Sequence, residues 1–228
     1  MKKLPASKIY LSLLLGLCLS AGAAFAQLSV HDVQYTTDPS GNSPYKDSTV
    51  TVQGVVTAVE FSLPPLNTHS FFIADTNGGA WSGLLIASSA TQTLSPGDWV
   101  QISGLVKEQN TQTLLQSPTV TLSGTASLPQ PAAVTTQAFN QEAYEGVLIA
   151  LNEVWVTTEI SAGVWRVTDA SAVEAKIGSS WDYLYVPSLE DTLDQVKGIG
   201  VYMSGSYRIE PRDDADLIFS FNIPPVIS

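Results

Sequence analysis

The chain has 228 residues, 44% of them hydrophobic, which is enough to bury a sizeable core and too apolar for a disordered segment. Its 10 Lys+Arg against 21 Asp+Glu give a formal charge of −11, which opposes simple attraction to a polyanion and favours solubility. A single cysteine, Cys18, excludes a disulfide framework and a thiolate metal site.

Residues 1–26 run from Lys2, Lys3 and Lys8 through an apolar stretch to Ala24-Phe25-Ala26, the small-x-small pattern of a signal-peptidase site. We read a cleaved signal peptide. A retained anchor and a lipoprotein signal at Cys18 are the rivals, and Leu17 before Cys18 is a poor fit to the latter. The mature chain then starts near Gln27 with no cysteine and no apolar run of the ~20 residues a membrane span needs. Such a protein suits the periplasm, cell surface or exterior of a Gram-negative bacterium. Removing three lysines leaves 7 basic against 21 acidic residues, a charge of −14.

Strand signals follow in order: Ser48–Phe61, Ser70–Asp75, Trp81–Ser88, Asp98–Glu108 and Gln112–Leu122 are rich in β-branched and aromatic residues and separated by Pro, Gly and Asn turns. These belong to a first domain, 27–128. The proline-containing stretch 129–137 reads as a linker. A second domain, 138–220, repeats the order with Glu145–Thr158, Gly163–Ser171, Leu193–Gly205 and Ser206–Phe219. Asp75 and Asp169 are separated by 94 residues, Gly104 and Gly200 by 96, and Leu114 and Ile209 by 95, a period that fits a duplicated small domain. Residues 221–228 are a tail or the start of a further domain. The predicted fold is all-β, two tandem five-stranded OB-like barrels after the signal peptide, because Gly54 within a long first strand lets it curl through both halves of a barrel. An immunoglobulin-like sandwich needs about seven strands per unit. The helical run Thr135–Gly146 is expected to cover one end of the second barrel.

The stretches "SPYKDSTVTVQGVVTAV", "SFFIAD", "SPGDWVQISGLVKE" and "YRIEPRDDADL" resemble the tandem OB-fold modules of the N-terminal region of bacterial extracellular nucleases and related secreted multidomain proteins. The resemblance covers about Val30 to Ile218. It implies an accessory role of nucleic-acid-binding type, with catalysis left to a separate domain.

His31 and His69 are the only histidines, neither at metal-ligand spacing, and there is no nucleophile elbow, P-loop or dinucleotide fingerprint. The chain is therefore not expected to be an enzyme. No cofactor is indicated except at the acidic cluster Asp213, Asp214 and Asp216, which reads either as surface ion pairs with Arg212 or as oxygen ligands for Ca²⁺. Among the aromatics, Phe72, Trp165 with adjacent Arg166, and Trp181 with Tyr183 and Tyr185 at period two read either as core or as ligand platforms, and on so acidic a chain any nucleic-acid binding is expected to rest on such stacking and on a few local cations such as Arg166, Lys176 or Lys107. Three functions remain open: a non-catalytic binding module for an oligonucleotide, the accessory region of a nuclease whose catalytic domain lies outside this chain, and a protein- or glycan-binding structural module of the cell surface.

Overall fold

The computed structural model describes residues 27–63, 67–161 and 163–219; the signal peptide expected at 1–26 and the tail at 221–228 lie outside them. After the short helix α1 (Val30–Gln34) come β1 (Thr49–Leu63), β2 (Asn67–Ala74), β3 (Gly83–Ala87), β4 (Asp98–Gln109) and β5 (Gln112–Thr125). They close a barrel in the order β1-β2-β3-β5-β4. A short strand β6 (Ala132–Ala133), inside the stretch read as a linker, lies parallel to the first strand of the second unit. Helix α2 (Thr136–Phe139) and a 3₁₀ turn (Glu142–Tyr144) lead into β7 (Leu148–Ser161), β8 (Val164–Thr168), β9 (Ala175–Ile177), β10 (Thr192–Met203), β11 (Ser206–Glu210) and β12 (Leu217–Phe219). Pairing of β10 with both β7 and β11 closes the second five-stranded barrel, and β12 continues along β10 where β11 leaves it.

The alternation in β4 sends Val100, Ile102 and Val106 into the first core and leaves Gln101, Ser103 and Leu105 partly exposed, as a one-sided strand requires. Strand β1 serves two neighbours. Thr49 to Val55 pair with β4, and Val55 onward with β2, so the change of partner falls beside Gly54, where a Cβ would lie 3.0 Å from the Ala74 carbonyl oxygen. Strand β7 changes partner at Trp155, two residues after Glu153, which takes a left-handed φ of 51°.

The repeated aspartates have one job in both halves. Asp75 at the end of β2 accepts hydrogen bonds from the backbone N–H groups of Val30 and His31 at 3.0 and 2.8 Å, tethering α1. Asp169 at the end of β8 accepts from the backbone N–H and hydroxyl of Thr136, both at 2.8 Å, tethering α2. These bonds, with those from Ser171, offset burial and hold the Asp169 carboxyl down at about 2. Val33 of α1 and Phe139 of α2 are fully buried, each in its own barrel's core.

The barrels are fused by a third apolar cluster. Ala58, Phe61, Phe72, Leu85 and Leu114 from the first barrel pack against Leu148, Ile199 and Val201 from the second, with Trp181 against the cluster. Burying side chains of this size contributes roughly 1.5–3 kcal/mol each. Trp181 donates its indole N–H to the Val59 carbonyl at 2.8 Å, and Arg212 donates to the Thr57 carbonyl at 3.0 Å. The backbones of Gly83 and Gly146 come so close that a Cβ on Gly83 would lie 1.9 Å from the Gly146 carbonyl oxygen. Among the described residues no helix is long and apolar enough to cross a membrane.

Candidate functional site

Side chains at alternate positions of the second barrel's strands leave it on the outer face. Trp165 and Val167 point inward, so Arg166 between them points out; Ala175 and Ile177 do the same for Lys176, and Ile209 for Arg208. Because Arg166 faces Lys176 across β8 and β9, and β11 lies next to β9, the three cations line one groove of about 470 Å³. Its rim is the β10–β11 hairpin, through Met203 and Ser204.

Each cation has a local partner. Arg166 forms an exposed ion pair with Glu174 at 2.7 Å, and this contact, with a hydrogen bond from Thr157, holds the Glu174 carboxyl below its ordinary range. Lys176 donates to the Ser206 hydroxyl at 2.8 Å. Arg208 lies 3.3 Å from Glu210 without hydrogen-bonding geometry. Burial raises the Glu210 carboxyl, against the hydrogen bond from the Ser180 N–H and the nearby Arg208 charge.

The tip of the β10–β11 hairpin, Met203 and Ser204, also lines a second recess of about 460 Å³, together with Tyr202 and, from the β4–β5 hairpin of the first barrel, Gln109, Asn110 and Gln112. Both hairpins turn on two left-handed residues, Asn110-Thr111 at φ 52° and 66° and Ser204-Gly205 at φ 53° and 81°. That is the pattern of a type I′ turn, in which glycine fits and the β-branched Thr111 is strained.

Of the residues singled out in the sequence, the cations Arg166 and Lys176 lie in this groove and the aromatic and acidic ones do not. Phe72 and Trp165 are fully buried, so neither offers a face to a ligand. Phe72 belongs to the inter-barrel cluster; Trp165 fills the second core and donates its indole N–H to the Tyr183 hydroxyl at 2.8 Å. The aromatic strip expected from Trp181, Tyr183 and Tyr185 is not a strand. Its backbone bonds to side chains instead, with Ser180 donating to Glu210 and Leu184 to Asp214, so the three rings turn to separate tasks. Trp181 packs on Phe61, Tyr183 donates to the Gly178 carbonyl, and Tyr185 donates to Asp191.

The acidic cluster is likewise divided. Asp213 caps the 3₁₀ turn Asp214–Asp216 through the Ala215 N–H, Asp214 accepts from Leu184, and Asp216 takes a two-pronged bond from Arg212 at 2.7 and 2.8 Å. The surface ion pair expected for Arg212 is in fact largely buried, and it continues to the Thr57 carbonyl of the first barrel. Among the described residues no three His, Cys, Asp or Glu side chains are arranged to hold a metal ion.

Sequence reasoning named Lys176 with Arg166 and Lys107 as local cations for a phosphate backbone; Lys107 is paired with Asp47 on the first barrel instead, and Arg208 was missed as the third member of the groove. The signal available was the outward phase of Arg166, Lys176 and Arg208 on strands whose neighbours are apolar, but joining β8, β9 and β11 required the topology. No protein-family model matches the chain, and no curated protein matches it.

Proposed function

We propose that this chain is a secreted, non-catalytic OB-type accessory module that binds single-stranded nucleic acid in the groove of its second barrel, as its resemblance to the N-terminal region of extracellular nucleases implies. The observation that carries this reading is the convergence of Arg166, Lys176 and Arg208. Three of the seven cations outside residues 1–26 meet on one face of a chain whose net charge opposes such ligands. With the local carboxylates counted, the groove is a small positive island. Its binding is weak and tuned to one phosphate track rather than to a broad polyanion surface.

The test is a titration of a labelled oligothymidylate at several salt concentrations. Three phosphate contacts give a log–log salt slope of about −2, at roughly 0.7 per contact on a single strand. Lys176→Ala and Arg166→Ala each lower the slope by about 0.7 and weaken binding. Absence of binding up to roughly 10⁻⁴ M protein, the weak end of non-specific affinities, rejects the reading.

A protein-binding structural role has its own observation. Leu184, Val186 and Leu189 expose 87, 74 and 57% of their surface on the segment before β10, an apolar strip on an acidic protein.

A further inference from the structure

A recess of about 430 Å³ lies at the seam between the barrels, lined by Asp38, Trp81 and Thr111 from the first and by Glu142, Tyr202 and Tyr207 from the second. Successive strand residues alternate, so Tyr202 and Tyr207, paired across β10 and β11, share the hairpin face opposite to Arg208 and the cationic groove. Their rings meet at 4.9 Å with planes 70° apart, which makes a corner. Trp81 comes from the turn before β3, where its backbone N–H donates to the Ala143 carbonyl at 2.6 Å, next to Glu142. All three rings are partly exposed. Trp81 and Thr111 both hold a left-handed φ of 66°, a costly conformation for a bulky or β-branched side chain. Such strain persists only where the surrounding structure fixes it, and it gathers at ligand sites.

The carboxylates of this recess lack a counter-charge. Among the described residues neither Asp38 nor Glu142 forms an ion pair. Asp38 accepts from the Ser40 N–H at 2.9 Å and the Asn42 amide at 3.1 Å, and these bonds hold its carboxyl below the ordinary range. Lys46 acts on it only from a distance, its ammonium donating to Asn42 at 2.9 Å. Burial raises the Glu142 carboxyl, the 2.6 Å bond from the Tyr207 hydroxyl opposes the rise, and the nearby Glu108 adds to it.

We propose that this seam recess binds a monovalent organic cation, an alkylammonium or guanidinium group, against the rings of Trp81, Tyr202 and Tyr207 with Glu142 and Asp38 as its counter-charge. Aromatic rings and carboxylates both attract such a group electrostatically, and the recess is of the size that small-ligand sites have. An anion meets two carboxylates and is repelled. A neutral sugar stacks on the rings but leaves the carboxylate charge uncompensated. A hard dication lacks its oxygen set, since among the described residues no three His, Cys, Asp or Glu side chains are arranged to hold a metal ion. The site stands whether or not the groove of the second barrel binds nucleic acid.

The experiment titrates N-acetylarginine amide, its neutral isostere N-acetylcitrulline amide, choline and a neutral cello-oligosaccharide into the purified, isotope-labelled chain and follows the shifts by NMR. The arginine amide binds with a Kd of about 1 mM, as a ligand of its size does, with shifts centred on the Trp81 indole. The citrulline amide binds about tenfold more weakly, the factor that a partly desolvated cation–π contact supplies. Choline binding beside arginine assigns the positive charge alone as the ligand, and arginine binding without choline assigns a planar guanidinium; either supports the site. Glu142→Gln keeps an acceptor for the Tyr207 hydroxyl, removes the charge, and brings the arginine amide to the citrulline level while citrulline affinity stays the same. Tyr202→Leu, at a partly exposed position, weakens arginine binding several-fold and serves if Glu142→Gln does not fold. Lys176→Ala, in the other groove, changes nothing. Equal affinity for the arginine and citrulline amides, a preference that survives both recess variants, no arginine binding up to about 10 mM, or shifts scattered over the acidic surface overturns the proposal. An oligosaccharide that binds and loses affinity in Tyr202→Leu places a glycan in the recess and overturns it as well.

Discussion

Replacing Glu145 by glutamine tests how the barrels are joined. This carboxyl lies between them, 2% exposed, with Oε1 accepting from the Thr113 N–H at 2.7 Å and Oε2 unpaired. Burial raises it well above the ordinary carboxyl range, and the nearby Glu142 and Glu108 push the same way against the single backbone bond. A group raised in the folded state contributes its stability below the unfolded value, near 4.5, and loses it as pH rises toward the folded value. Within that window one extra proton on the folded chain means a loss of about 1.4 kcal/mol per pH unit. The amide keeps the acceptor for Thr113 and cannot ionise. The stability difference between Glu145→Gln and wild type therefore grows with pH above 4.5 by up to about 1.4 kcal/mol per unit, then levels off. Each kcal/mol moves the thermal midpoint by about 2–4 °C in a chain of this size. Glu142 and Glu210, also raised by burial, tilt the wild-type curve but remain in both proteins. Urea unfolding followed by circular dichroism from pH 4 to pH 8 makes the comparison. Parallel stability curves for the two proteins refute the account.

Two further predictions concern the backbone. Gly83→Ala forces a Cβ into the Gly146 carbonyl and costs about 3 kcal/mol or more, whereas Gly79→Ala, with nothing within 4 Å of its Cβ position, costs only backbone strain of about 1 kcal/mol; thermal unfolding separates them, and equal losses would discount the inter-barrel contact. Thr111→Gly relieves a β-branched residue at φ 66° and raises stability by roughly 1 kcal/mol after the entropy that glycine brings to the unfolded chain, a gain that denaturant titration should detect and whose absence would mean the turn is not strained.

The barrels were legible in the sequence because strand period, turn residues and Gly54 all point the same way, and because the second unit repeats the first. The repeat even marked Asp75 and Asp169 before their tethering role was visible. The joint between the barrels was not legible. Phe71 and Phe72 are adjacent and both fully buried, one in the barrel's own core and one in the shared cluster, so apolar character on both faces of β2 carried no hint of which partner each had. The groove was hidden for a related reason: Arg166, Lys176 and Arg208 come from three strands spread over 43 residues, and β9 has only three residues, too few to show a period. Trp165 and Trp181 stayed open between core and ligand platform because an indole beside a cation or a tyrosine looks the same in sequence whether it faces solvent or fills a core.

The shared cluster imposes an order on how the molecule is made. When the first barrel has been synthesised, Phe61, Phe72 and Leu114 have no cover, because Leu148, Ile199 and Val201 come later in the chain. Until β10 arrives, the newly made half carries an adhesive apolar face, the kind of surface on which nascent chains associate wrongly. Fast docking of the second half, or shielding by a chaperone until it is made, is thus a requirement of its biogenesis.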